Sequence, residues 1–256
     1  MEQIALMTDF GQQDGYVGIM KGVIASIAPE ANVIDLSHDL PPQNLDAAKF
    51  VLWNSYRHFP EGTIFVCVVD PGVGSQRHIL AFHTGKYIFI APDNGVLDYV
   101  MAENRTKHLL RVQESRVMAS SISNTFHGRD IFAPAAAHIA AGFPFTMIGP
   151  MHPYTLPQSP FVHPKGNSTP GKILHVDHFG NLISNIYLKP QDAQGMVQVG
   201  DREIPVGQTY AAVSEGELLA LPGSHGLLEI AVRNGNAHTA LSAGVGAELM
   251  FAPHSI

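Results

Sequence analysis

The apolar positions fall into two regimes. Over the first part of the chain, short apolar runs alternate with stretches in which apolar residues recur every three to four positions. Residues 4–7, 33–36, 64–69, 79–82 and 87–90 read as strands. Residues 17–27, 45–56 and 132–141 carry helical spacing, the first stopped by Pro29 and the last closed by Gly142, with a short helix at 96–101. Residues 59–62 and 91–95 read as turns. Strands alternating with helices predict a mostly parallel, doubly wound sheet over residues 1–150.

The pattern then changes. Pro150, Pro153, Pro157, Pro160, Pro164 and Pro170 punctuate a stretch without helical periodicity, which reads as a linker over 151–171. Beyond it come short runs at 172–176, 182–187, 196–199, 203–206, 217–221, 227–232 and 247–251, separated by glycine-containing turns. They predict a smaller all-β domain over 172–256, a barrel or sandwich. The fold class is therefore α/β followed by β. No internal repeat, low-complexity tract or heptad run interrupts it.

Composition narrows the function. At 45% apolar residues the chain has enough to bury a sizeable core. A net charge of -7 argues against a nucleic-acid partner, whose phosphates need a basic face. The one cysteine, Cys67, sits in an apolar run and allows no internal disulfide, which points to a reducing cytoplasm. The sequence predicts no signal peptide and no apolar span of ~20 residues, hence no membrane.

The densest candidate chemistry is Asp70-Pro71-Gly72-Val73-Gly74-Ser75-Gln76-Arg77, which follows the 64–69 strand. Proline and glycines force a tight loop there, so Asp70 and Arg77 flank a rigid turn at a strand end, where α/β proteins place ligands. A structural ion pair pinning the turn explains those two residues equally well. Asp9 ends the first strand ahead of a glycine loop, a placement suited to a ribose diol. Its competing role is an N-cap for the first helix, which Asp14 serves better by being closer. The loop lacks G-x-G-x-x-G and G-x-x-x-x-G-K, so neither a dinucleotide nor a P-loop site is supported.

His127 is one of 14 histidines and stands in Thr125-Phe126-His127-Gly128-Arg129-Asp130, just ahead of an alanine-rich helix. A loop at a helix start offers backbone N–H groups to an anion or a polarised water. No histidine spacing matches a metal motif, so no metal is predicted. In the second region Asn181 suits an adenine edge or an Asx turn. Glu229 lies inside an apolar strand, either facing outward or touching a ligand.

Taken together, Thr8-Asp9-Phe10-Gly11, Val69-Asp70-Pro71-Gly72-Val73-Gly74, Ala91-Pro92-Asp93-Asn94-Gly95, Thr125-Phe126-His127-Gly128-Arg129-Asp130, Phe179-Gly180-Asn181 and Leu228-Glu229-Ile230-Ala231-Val232 resemble one family. It is that of the S-adenosylmethionine hydroxide adenosyltransferases, hydrolytic relatives of the fluorinase and chlorinase enzymes. The resemblance spans the whole chain. It implies an N-terminal α/β domain, a C-terminal barrel and a homotrimer with active sites between subunits.

The resemblance also implies roles. The catalytic Asp–Arg–His set falls on Asp70, Arg77 and His127, and the ribose carboxylate on Asp9. Asp14 and Tyr16 match positions near ribose and methionine, and Thr125, Phe126 and Gly128 belong to the same substrate pocket. Asp177 and Asn181 match contacts to the methionine amino group and adenine. Ser224, Glu229, the Val232 backbone and Tyr210 form the barrel's share. Fluorinase-like enzymes carry Tyr where this chain has Asp70, and Tyr-Ser where it has His127-Gly128, which speaks against halogenation. Arg233 stands where the family pattern has Asn. The implied reaction is attack of water on C5′ of S-adenosylmethionine, giving adenosine and methionine. No cofactor is implied, because S-adenosylmethionine is itself the substrate. The rival readings are a halide-using synthase and a non-catalytic adenosine-binding sensor.

Overall fold

The structure is a computed structural model that describes residues 2–117 and 122–253. It comprises two compact units, Met1–Gln158 and Ser159–Ile256. The proline-rich stretch is shared between them and carries pairing of its own. Met151 bridges Leu110 in the first unit, and Val162 bridges Ile186 in the second.

In the first unit the sheet order is β2-β1-β3-β5-β4-β6. The strands are β1 (Gln3–Thr8), β2 (Asn32–Ser37), β3 (Ile64–Val68), β4 (Ile79–His83), β5 (Ile88–Pro92) and β6 (His108–Arg111). The pairs β1–β2, β1–β3 and β3–β5 are parallel, while β4 runs antiparallel to β5 and β6. Every residue of β3 is buried, as a parallel strand covered on both faces requires. Ile4, Leu6, Ile64, Val66 and Val68 pack under α1 (Tyr16–Ile27) and α4 (Ala133–Ala140). On the other face Phe65 stacks on Phe89, which meets Tyr56 just after α2 (Leu45–Ser55).

Helix α1 buries Val17, Met20 and Ile24, the stripe its spacing predicts. Its N-cap is Gly15 with no side-chain cap bond, so neither Asp9 nor Asp14 caps it. Helix α2 is capped by Asn44, whose Oδ1 accepts from Ala47 N at 2.9 Å. Ala91 and Pro92 lie in β5 rather than in a turn, held antiparallel to Leu80 and Ile79. The short α3 spans Asp98–Glu103. Strand β6 has no counterpart in the sequence reading, because four residues with one apolar pair carry too little pattern.

The second unit is a seven-stranded antiparallel sheet in the order β10-β9-β13-β7-β8-β12-β11. Its strands are β7 (Thr169–Val176), β8 (Leu182–Tyr187), β9 (Gly195–Val199), β10 (Arg202–Pro205), β11 (Leu218–Pro222), β12 (Leu227–Val232) and β13 (Glu248–Pro253). A bridge between Val206 and Ala220 links the two edges, so the sheet nearly closes into a barrel. Leu182, Ile186, Val197, Ile204, Leu228, Ile230 and Phe251 belong to its core. A small helix, α5 (Ala237–Leu241), follows β12 and is capped by Asn236.

Candidate active site

In the first unit the strand order changes direction between β1 and β3, the switch point where open α/β sheets bind ligands. Thr8 pairs with Val68 across these parallel strands, so Asp9 and Asp70 leave the sheet at the same edge. Below Asp70, Asn94 Nδ2 donates to Val69 O at 2.9 Å. That bond gives the Ala91–Gly95 motif a structural purpose, since it fastens the end of β5 under the Asp70 loop.

Arg77 closes on Asp70 with a forked contact. Its Nε lies 3.1 and 3.0 Å from the two carboxylate oxygens, and its Nη2 lies 2.5 Å from Oδ2. Both side chains are nearly buried, at 9% and 4% exposure, so the pair is poorly screened by water. Between them, Gly74 adopts φ +78 and approaches so closely that a Cβ would lie 2.5 Å from Asn124 O. Only glycine allows the 70–77 loop to rest on the loop that carries His127.

The same guanidinium reaches His127, with Nη2 donating to Nδ1 at 2.7 Å. A guanidinium has no acceptor, so Nδ1 contributes a lone pair and the ring proton sits on Nε2. Burial and the Arg77 charge both hold the His127 pKa below its ordinary value, which agrees with a neutral ring. The sequence-predicted catalytic set is therefore assembled, with Arg77 at its centre.

Local structure explains how His127 is presented. Ser123 Oγ accepts from Thr125 N and Phe126 N. Asp130, almost fully buried, accepts from Ser123 N at 2.7 Å and from Arg129 at 2.6 and 3.0 Å. Burial raises the Asp130 pKa, but Arg129 and the Ser123 amide outweigh it and the net shift is downward. A π-helical turn over Gly128–Phe132 follows, with Ala133 N donating to Gly128 O. Pro134 has no amide hydrogen to return to Asp130, so regular α-helical bonding cannot continue through this point. Gly128 is crowded: a Cβ there would lie 3.1 Å from Met20 Sδ and from the Phe126 ring.

Phe10, Tyr16 and Phe126 form an aromatic cluster, with centroids 5.1–6.0 Å apart. Tyr16 is half exposed, and Asp14 and Thr125 are exposed. Asp9 Oδ2 accepts from Gln43 N at 2.7 Å. Asp9 Oδ1 has no protein donor among the described residues.

The barrel residues gather separately within the second unit. Phe179, Asn181, Tyr210, Val232, Asn234 and Gly235 line a cavity of about 390 Å³. Asp177 organises its rim: Oδ1 accepts from Phe179 N and Asn181 N, and Oδ2 accepts from Asn181 Nδ2 at 2.9 Å. The Asx turn is thus made by Asp177, which leaves Asn181 its amide oxygen and one N–H. Glu229 is buried on the face of β12 opposite the barrel core. There it accepts from Tyr210 OH at 2.5 Å and lies 3.4 Å from His225 Nε2. Burial, and then the bond to Glu229, push the Tyr210 pKa well up. Glu229 therefore braces Tyr210 and the loop bearing the exposed Ser224. Arg233 donates to Val213 O at 2.7 Å, a structural bond.

Gln43 and His38 carry no signal in the sequence, because each meets the Asp9 loop from more than 25 positions away and no local spacing announces the contact. Ser123 acts locally, through the amides of Thr125 and Phe126, but stands outside the motif that carries His127. No group of three or more metal-ligating side chains occurs among the described residues. No helix among them is long and apolar enough to cross a membrane.

The chain as a whole is similar to known proteins. Residues 4–149 match the SAM hydroxide adenosyltransferase N-terminal domain, and residues 171–250 match the C-terminal domain. A Thermus thermophilus protein named (R)-S-adenosyl-L-methionine hydrolase is 41% identical over 249 residues, covering 94% of this chain and 96% of that protein. A fluorinase from Actinopolyspora mzabensis is 28% identical, covering 89% of each chain. The crystal structure of an uncharacterized conserved protein from Thermotoga maritima superposes with a TM-score of 0.87 at 35% identity, covering 98% of this chain and 100% of that one.

Proposed function

The chain belongs to the SAM hydroxide adenosyltransferase family, and from that premise we propose that it hydrolyses S-adenosyl-L-methionine at C5′ to adenosine and L-methionine. The single observation that carries the reading is the Asp70–Arg77–His127 cluster at the switch point, beside Asp9. A sulfonium departs as a neutral thioether, so the reaction calls for no general acid and no cofactor. It calls for an oriented water in line with the C5′–S bond.

In this reading Asp9 Oδ1 holds the ribose and fixes C5′. Asp70 takes the proton of the attacking water through a lone pair that Arg77 leaves free. His127 donates from Nε2 to the water oxygen and keeps it in place. Arg77 holds both groups in register and favours negative charge on the nucleophile. In the barrel, Asn181 and the backbone beside it receive adenine, while Asp177 and Ser224 receive the methionine end. We place Asp14, Tyr16, Thr125, Phe126 and Gly128 along the ribose and thioether. The two residue sets meet between neighbouring subunits of a homotrimer, as the family resemblance implies. The substrate epimer is the (R) form, as in the name of the Thermus relative. The lone buried Cys67 suits a cytoplasmic enzyme.

Reaction in ¹⁸O-water tests the bond that breaks. The label is expected at O5′ of adenosine, with methionine unlabelled and the (R) epimer consumed faster. Label in homoserine, or methanol released with S-adenosylhomocysteine, would overturn the reading. Adenosine binding without consumption of either epimer would favour the sensor.

A further inference from the structure

His38 is buried at 1% exposure and belongs to none of the motifs above. Its ring nonetheless lies directly behind the Asp9 loop. Nδ1 is 2.9 Å from Thr8 Oγ1, and Nε2 is 3.0 Å from Asp35 Oδ1. Thr8 Oγ1 also accepts from Phe10 N at 3.2 Å. The His38 backbone joins in, its carbonyl accepting from Gly11 N at 2.8 Å. One residue therefore grips the loop on both sides of Asp9, through Thr8 before it and Gly11 after it.

The hydrogen-bond directions are consistent along the chain of contacts. The Asp35 carboxylate is an acceptor, so Nε2 carries a proton. In the neutral ring Nδ1 then accepts from the Thr8 hydroxyl, whose oxygen remains free to receive Phe10 N–H. Asp35 Oδ2 is held in turn by Lys21 of α1 at 2.6 Å. That last pair is 39% exposed on each side and adds little by itself. The buried pair, Thr8 and His38, is what resists motion.

We propose that His38 is a positioning residue for substrate binding, which holds the Thr8–Gly11 turn so that the Asp9 carboxylate is set before the ribose arrives. The inference rests on the reading of Asp9 as the ribose carboxylate. It adds a cause for the affinity of that group, since Gly11 at φ +69 gives the turn freedom that would otherwise be lost on binding. His38 touches neither water nor sulfonium in this scheme, so its removal weakens binding and spares the chemical step.

Asparagine and glutamine separate the two arms of the ring. An Asn amide oxygen lies near the position of Nδ1 and keeps the acceptor for Thr8. A Gln amide nitrogen lies near the position of Nε2 and keeps only the donor to Asp35. Adenosine calorimetry and steady-state kinetics on the full chain form the test. His38→Ala, His38→Gln and Thr8→Val are expected to raise both the adenosine Kd and the KM by about five- to tenfold, with kcat near wild type. His38→Asn and Thr8→Ser are expected to stay close to wild type in both. Thr8→Val and Thr8→Ser preserve His38, so they decide the matter even where His38→Ala fails to fold.

Wild-type affinity in Thr8→Val would overturn the proposal while leaving the hydrolase reading intact, as would a Gln variant that binds as well as the Asn one. A fall in kcat without a change in Kd would also overturn it. A wild-type protein that binds adenosine without consuming S-adenosylmethionine would sink the hydrolase, and the calorimetry would still decide the role of His38. Failure of the wild type to bind adenosine would overturn both.

Discussion

Arg77 Nη2 donates to His127 Nδ1 at 2.7 Å while lying 2.5 Å from Asp70 Oδ2. One nitrogen thus links a carboxylate and an imidazole that are 57 positions apart in sequence (127 − 70). It also dictates the His127 tautomer, because the guanidinium offers only hydrogens.

The first prediction follows from that tautomer. Burial and Arg77 lower the His127 pKa from 6.5, so the unfolded chain takes up the proton more readily than the folded one. The stabilisation is fully present above about pH 6.5 and is lost as pH falls through the folded value. Activity should show an acidic limb below that pH. NMR titration of the His127 ring, assigned with His127→Asn, is expected to give a midpoint below 6.5 that rises in Arg77→Met. A midpoint at or above 6.5 would contradict the donor assignment.

Asp70→Asn should lower kcat by about 10²–10⁴-fold, the usual contribution of a positioned base, with adenosine affinity near wild type. The variant should also lose ~3 kcal/mol of stability, since it leaves the nearly buried Arg77 without its counter-charge. Losses in Asp70→Asn, Arg77→Ala and His127→Ala should be far from additive when combined. Near-normal turnover in Asp70→Asn would show that another group takes the proton.

Gly74→Ala tests the contact between the two catalytic loops. The left-handed backbone alone costs about 1–2 kcal/mol with a side chain. The 2.5 Å approach to Asn124 O forces a shift besides, and that oxygen is backbone and cannot swing away. Chemical denaturation should show a loss above that range, with turnover falling more than adenosine affinity. An unchanged midpoint would mean that the loops are not packed as described.

The proposed trimer predicts complementation. Asp70→Ala lies in the first unit and Asn181→Ala in the second, and each alone should be inactive. Mixing the two under conditions of subunit exchange should restore part of the activity, since some sites receive both intact halves. Sedimentation as a monomer would rule the arrangement out.

Much of the fold was legible because burial leaves a periodic trace. The continuous apolar run of β3, the spacing of Val17, Met20 and Ile24, and the alternating runs of the barrel each carry their own signal. Misread boundaries have local causes. Pro92 occupies the end of β5 despite its turn-like sequence, and β6 is too short to show a period. Residues 128–132 form a π-helical turn, ahead of an α-helix that begins at Ala133.

The sequence by itself determined which residues could do chemistry: a carboxylate after each of two strands, an arginine beyond a glycine loop, and a histidine ahead of a helix. It left Asp70 and Arg77 equally readable as a turn-pinning ion pair. Only the tertiary structure decided that β1 and β3 are parallel neighbours at the switch point, which brings Asp9 and Asp70 to one edge. It also decided that Arg77 reaches His127 as well as Asp70, that Glu229 braces Tyr210, and that His38 stands behind Asp9. The reason is physical. Hydrophobic burial repeats along the chain and can be read from one end, whereas a hydrogen bond depends on two atoms that strand pairing brings together from distant positions.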